Sequence, residues 1–177
     1  MDKKIIEEKA HEVLETVKDT GDAAVEIIRL AQTLGFVVGN AIFHGDEDGF
    51  IVVKEGAREI FGQETDKLIG VRADRSTEWK RFIIAHEIGH YILHYNSAES
   101  KGLYAHRDHR KGKGPIENEA DYFAANLLMP SDRFIKNYDE LCNLSREEKI
   151  LILAKRFNVT RKMVERRFEE LKLDEAV

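Results

Sequence analysis

The chain has 177 residues and a formal net charge of −5, and 42% of its residues are hydrophobic while 34% are charged. This length and balance are typical of one globular domain, or of one domain with a short appendage, and they exclude collagen-like and low-complexity chains. No apolar run is long enough to span a membrane, the first residues lack the apolar stretch of a signal peptide, and the single cysteine, Cys142, cannot form an intrachain disulfide. We therefore expect a cytoplasmic protein with no membrane contact.

The first 75 residues predict two helices followed by strands. Apolar residues recur at helical spacing in the first helix, and Gly35 is placed to end the second. The turn at 46–49 separates two apolar runs and predicts a β-hairpin, with a third strand after it. The predicted elements are helices over 3–18 and after Gly21, and strands over 36–43, 50–53 and 68–71; residues 56–68 remain ambiguous.

Ser76 or Thr77 can cap a central helix that extends to about His94 and is apolar nearly all round. A helix of this kind is expected in the centre of a domain rather than on its surface. The polar, basic residues 95–114 are interpreted as a loop. Pro115 can begin the next helix, which Pro130 ends, and a short helix is expected after it.

The last 33 residues predict two helices, over 146–156 and 161–172. Their pattern is typical of a helix-turn-helix, whose second helix would expose basic residues. Residues 145–177 carry only 9 basic against 7 acidic groups, so we favour a helical cap over a DNA reader. The predicted division is a domain over 1–138 and a helical extension over 139–177. The basic residues expected on the surface of the second helix are Arg161, Lys162, Arg166 and Arg167.

The central helix contains the motif His86-Glu87-Ile88-Gly89-His90. Residues four apart lie on one face of a helix, so both imidazoles can hold one metal ion. Two imidazoles in a tetrahedral site favour zinc, with manganese as the alternative. Glu87 lies about 100° round the helix, beside the metal, where a general base belongs. Burying these polar groups without a metal would be costly.

A zinc hydrolase needs a third protein ligand, and the next helix offers Glu117. On the helical wheel Asp121 lies on the same face, whereas Glu119 lies about 200° away and is expected to face outward. Asp121, one turn on, can accept the second ring N–H of a ligand histidine. Alanines beside Glu117 allow this helix to approach the histidine helix closely.

Three further histidines and a tyrosine are candidates for a role at the same site. His94 lies two turns from His86, too far to close a compact site, so we expect it to be packed and hydrogen-bonded. Tyr104, His106 and His109 lie in the basic stretch, and the sequence leaves open whether they are solvated or assist catalysis.

Two stretches of the sequence resemble the ImmA/IrrE family of metallopeptidases, most clearly over residues 80–132. They are RFIIAHEIGHYILH, from Arg81 to His94, and IENEADYFAANLLMP, from Ile116 to Pro130. The resemblance implies that His86, His90 and Glu117 bind zinc and that Glu87 is catalytic. It also implies cleavage or inactivation of a helix-turn-helix repressor in a bacterial or phage cytoplasm.

The sequence therefore predicts an α+β fold, in which a small antiparallel or mixed sheet packs on the central helix and a helical extension follows. The expected function is that of a zinc-dependent metallo-endopeptidase whose protein substrate is a helix-turn-helix repressor. Two alternatives remain: a module that sequesters a repressor without cutting it, and a DNA-binding regulator that uses the last helices. Direct DNA binding is the less favoured of these.

Overall fold

The computed structural model describes residues 1–19, 21, 23–54, 66–95, 103–107 and 114–173, of which 103–107 are described by their backbone alone. These residues form an α+β fold, as predicted. In chain order the elements are α1 (Lys3–Thr16), α2 (Ile27–Thr33), β1 (Val37–Ala41), β2 (Gly49–Lys54), β3 (Lys67–Arg72), α3 (Thr77–His94), β4 (Leu103–Arg107), α4 (Pro115–Leu128), α5 (Ser131–Asp139), α6 (Arg146–Phe157) and α7 (Arg161–Leu171). None of the described helices combines the length and apolar character needed to cross a bilayer.

The sheet is mixed and has the strand order β1-β3-β2-β4. β3 runs parallel to β1 and antiparallel to β2, and β2 also pairs with β4 in the antiparallel sense. The third strand predicted over 68–71 is therefore confirmed. The hairpin predicted between residues 36–43 and 50–53 is wrong, because β3 lies between those two strands.

The segment before β2 does not form a hairpin turn, because hydrogen bonds from β3 fix its position. The Nε atom of Arg72 donates to the carbonyl of Glu47 at 2.6 Å, and its backbone N–H donates to the carbonyl of Asp48 at 2.7 Å. The Asp48 side chain is fully buried and accepts hydrogen bonds from Arg75 and Trp79, both at 2.8 Å. These contacts fix the start of β2 against the end of β3 and the first turn of α3.

The basic stretch 95–114, predicted as a loop, contains β4. Backbone hydrogen bonds to β2 form this strand, with Ile51 opposite His106. A polar sequence can make such bonds as well as an apolar one, so the periodicity of side chains gave no signal. Most of the ambiguous stretch 56–68 lies outside the described residues.

The helices bury the sheet and each other in one hydrophobic core. Ile51 and Ile69 of the sheet are fully buried, as are Ile88 of α3 and Phe123 of α4. Gly35 has φ +87° and ends the second helix, as its sequence position predicts. The helices expected from the sequence, including the two at the C-terminus, are confirmed within two residues at their ends, except that the second begins only at Ile27.

The C-terminal helices pack onto the rest of the chain. The guanidinium of Arg81 on α3 donates to the carbonyl of Asn158, between α6 and α7, at 3.0 Å. Arg167 of α7 is only 1% exposed and donates to Asn126 of α4 at 2.8 Å and to Ser131 at 2.9 Å. The expectation that Arg167 lies on the surface is therefore wrong, and the division at residue 138 stays a prediction.

Candidate metal centre

The centre is built on α3, whose start is fixed by a side-chain cap. Ser76 accepts a hydrogen bond from the backbone N–H of Trp79 at 3.3 Å. Glu78 lies in the first turn, and hydrogen bonds from its own backbone and from Ser76 lower the pKa of its carboxyl group. This negative charge suits the positive end of the helix dipole. The cap thus sets the helical register that turns the motif histidines toward α4.

α3 and α4 approach each other closely at Gly89. A Cβ atom placed on Gly89 would lie 3.2 Å from the Cα and the carbonyl oxygen of Ala120, and 3.1 Å from the Phe123 ring. Two small residues therefore let the backbones meet. The close approach predicted from the alanines of α4 is therefore found. It places the polar residues near Ala120 on α4 next to the polar residues near Gly89 on α3.

Three side chains converge at this crossing. The Nε2 atoms of His86 and His90 are 3.0 Å apart, and the Glu117 Oε2 atom lies 3.2 Å from the first and 3.6 Å from the second. Both histidines are almost fully buried, and Glu117 is half-buried. The structure therefore brings together the three ligands predicted from the sequence, in a group able to hold a metal ion.

The donor set fits a small divalent cation. In a tetrahedral site with bonds of 2.0–2.1 Å, two ligand atoms are about 3.3 Å apart, and the three observed separations lie around that distance. Two imidazole nitrogens and a carboxylate oxygen that face one another repel unless a proton or a cation lies between them. A metal ion removes this repulsion for all three atoms at once.

Asp121 orients the first histidine. Its Oδ1 atom lies 3.0 Å from Nδ1 of His86, and its side chain is about 5% exposed. Because a carboxylate accepts, Nδ1 of His86 is the protonated nitrogen, and the lone pair of Nε2 faces Glu117. The structure thus places Asp121 at the position predicted for the partner of a ligand histidine.

His94 and Glu119 orient the second histidine. The Nδ1 atoms of His90 and His94 are 3.1 Å apart, and Nε2 of His94 lies 3.0 Å from Oε2 of Glu119. If His94 Nε2–H donates to the carboxylate, His94 Nδ1 accepts from His90, and Nε2 of His90 keeps its lone pair for the centre. The expected hydrogen-bonded role of His94 is confirmed.

The prediction that Glu119 faces outward on the surface is wrong. Glu119 is only 18% exposed, and hydrogen bonds from the amino group of Met1 and from His94 lower the pKa of its carboxyl group. The helical wheel placed it correctly away from Glu117, but α1 packs against that side of α4, where Tyr122 bonds Glu7. The spacing of His94, one further turn along the row of His86 and His90, is the signal that could have pointed to this contact.

Glu87 follows His86 on α3 and is fully buried. The start of β2 approaches its carboxylate closely: a Cβ atom on Gly49 would lie 3.0 Å from Oε1 of Glu87 and 2.3 Å from Ile83. Only glycine fits there. Gly49 was not among the residues predicted for the site, although a glycine at the start of an apolar strand is a known sign of close backbone approach.

The remaining candidates from the sequence are only partly described. The backbones of Tyr104 and His106 lie in β4, opposite Val53 and Ile51 of β2. His109 lies outside the described residues. Their role in catalysis stays open.

Comparison with known proteins gives one family match. The model of the Peptidase_M78 family, described as the IrrE N-terminal-like domain, matches residues 47–169. This range begins just before β2 and ends in α7, so it includes all the residues of the centre. No curated protein matches the chain at a significant level.

Proposed function

The chain belongs to the Peptidase_M78 family of IrrE N-terminal-like domains, and from this premise we propose that it is a zinc-dependent endopeptidase. The observation that carries the proposal is the convergence of His86, His90 and Glu117 beside a buried Glu87. Each residue type matches a part that metal-assisted hydrolysis requires: three ligands that leave a coordination position open, and a carboxylate next to it.

In this proposal His86, His90 and Glu117 hold the zinc ion, with manganese as the alternative metal. A bound zinc ion supplies Lewis acidity, which polarises a substrate carbonyl and lowers the pKa of water. Glu87 accepts a proton from the attacking water and delivers it to the leaving amine nitrogen. Asp121 and His94 keep the ligand imidazoles in the tautomer that presents Nε2. Burial of Glu87 keeps bulk water from competing for its proton.

We further propose that the substrate is a protein, and specifically a helix-turn-helix repressor. The resemblance to the ImmA/IrrE family supports this choice. The first 70 residues carry 15 acidic and 8 basic groups, and this net negative charge favours docking of a basic, DNA-binding partner. Selectivity would then come from docking a folded protein over an extended surface, in addition to the residues next to the scissile bond.

The direct test is to incubate the zinc-loaded chain with purified helix-turn-helix repressors encoded in the same genome. Mass spectrometry of the products should show two defined fragments from one repressor. The matched control is Glu87→Gln, which should keep the metal, because Glu87 is not a ligand, and lose cleavage. A repressor that is bound and released from its operator without being cut would instead favour the sequestering module.

A DNA-binding function of the last helices has less support. Arg167 is buried, Arg161 is paired with Glu147, and Arg166 is 3.3 Å from Glu170. These contacts engage three of the four cations that a DNA reader would present to phosphates, and Lys162 is the fourth. Binding of duplex DNA that weakens steeply as salt rises would nevertheless identify such a reader.

A further inference from the structure

A cavity of about 410 Å³ lies between α3, α4 and α7. Its lining is largely apolar and includes charged groups from α4 and α7. We call it the α7 cavity. Its apolar wall residues are Trp79, Phe82, Ala125, Met129 and Met163, and its polar residues are Asp121, Thr160, Lys162, Arg166 and Glu170.

The α7 cavity adjoins the metal centre. Asp121 lines the cavity, and its Oδ1 atom is 3.0 Å from Nδ1 of His86. The ring centroid of Phe82, one turn before His86 on α3, lies 6.2 Å from that of the histidine. The cavity and the centre therefore adjoin at Asp121. Because Phe82 and His86 lie one turn apart on the same face of α3, the cavity continues along the helix face that carries the centre.

The lining selects for a large side chain without charge. Trp79 and Phe82 stack with a centroid separation of 5.3 Å and offer a flat aromatic surface. Met163 faces this surface with a side chain that adapts to the shape of a ligand. Two cations in the lining, Lys162 and Arg166, balance two carboxylates, Asp121 and Glu170, so neither sign of ligand charge is favoured. The volume is within the range of sites that bind small ligands.

We propose that the α7 cavity is the specificity subsite that receives a large apolar or aromatic side chain of the substrate, next to the scissile bond. This inference rests on the proposed function, because it takes the metal centre as the place of cleavage. It gives the C-terminal helix a role in substrate selection, since α7 supplies Met163 and three of the four charged lining residues. Substrates with glycine, aspartate or lysine at that position would leave the cavity unfilled or would bury a charge in it.

The test uses hydroxamates, which bind a metal ion directly and can carry a side chain of chosen size. Acetohydroxamate reports the metal centre alone, whereas succinyl hydroxamates with isobutyl or benzyl groups also probe the cavity. Calorimetric titration of the zinc-loaded chain should show affinity rising at least about 10-fold from the methyl to the benzyl probe, as expected for burial of a ring. In Met163→Trp, whose indole fills the cavity, this ratio should fall to near one.

The control is Leu151→Trp on α6, which adds the same ring at an exposed position outside the cavity and should leave the ratio unchanged. Met163→Ala enlarges the cavity and should shift preference toward a naphthyl probe, which gives a second test if Met163→Trp folds poorly. A benzyl advantage that is absent, or that survives in Met163→Trp, would overturn the subsite and leave the proposed function intact. Failure of acetohydroxamate to bind in a zinc-dependent way would instead overturn the proposed function, and the subsite with it.

Discussion

The two histidines of the metal centre are supported by different chemistry on its two sides. On the α7 side, His86 bonds directly to a buried carboxylate, Asp121. On the α1 side, His90 bonds to the imidazole of His94, and the carboxylate of Glu119 lies one step further away. A carboxylate in direct contact raises the basicity of an imidazole more than a second imidazole does. One pair of helices thus positions the two histidines through partners of unequal strength.

The largest effect is expected where both sides meet, at Glu117. Glu117→Gln replaces a charged ligand by a weak one, and the loss of zinc affinity should exceed the roughly 10- to 100-fold typical of losing a ligand's hydrogen-bond partner. Free zinc at about 100 times its Kd should stabilise the unmodified chain by about 2.7 kcal/mol, and this gain should disappear in the variant. Chelator competition and thermal unfolding measure the two quantities.

The second largest effect is expected at the contact between α3 and α4, because this contact positions the partners of both histidines. In Gly89→Ala the added methyl group meets the backbone of Ala120 at 3.2 Å, which cannot move without separating α3 from α4. Overpacking of this kind costs about 1–3 kcal/mol in the free energy of unfolding. Gly39→Ala in β1 is the control, since nothing lies within 4 Å of its added Cβ atom. Equal denaturation midpoints for the two variants would contradict the close contact.

The convergence of His86, His90 and Glu117 was predictable because its parts are local. The spacing of His86 and His90 and the wheel position of Glu117 each depend on the geometry of a single helix. The Glu119–His94 contact was not predictable, because it depends on the relative heights of α3 and α4 and on α1 covering that side. The α7 cavity likewise joins residues of α3 and α7 that are some 80 positions apart in the sequence.

The sheet order failed to emerge from the sequence for a related reason. Alternation and turn residues identify strands, but they do not say which strands pair. Here Arg72, at the end of β3, holds the carbonyl of Glu47 and so excludes a simple turn between β1 and β2. That contact spans 25 residues and has no periodic signature.

The third prediction tests the α7 side alone. Asp121→Ala removes the acceptor for His86 Nδ1–H and frees the ring to adopt the other tautomer, so zinc affinity should fall about 10- to 100-fold. Asp139→Ala, an exposed carboxylate at the end of α5, is the control for loss of charge. Affinities from competition with a chromophoric chelator decide the matter. An unchanged affinity would mean that Asp121 has no part in orienting His86.

The smallest loss of zinc affinity is expected on the α1 side. His94→Phe keeps a ring of similar size but removes the acceptor for His90 Nδ1–H, so zinc affinity should fall by about 10-fold, the lower end of the range for such partners. Glu119→Gln should cost less still, because the amide oxygen can accept from His94 Nε2–H and the lost charge is two hydrogen bonds from the ligand. Visible spectra of the cobalt-substituted variants report on the geometry at the metal, and they should change more for Asp121→Ala than for either of these two. If Glu119→Gln instead lowered the zinc affinity as much as Glu117→Gln, Glu119 would be a ligand. Its assigned role as the hydrogen-bond partner of His94 on the α1 side would then be wrong.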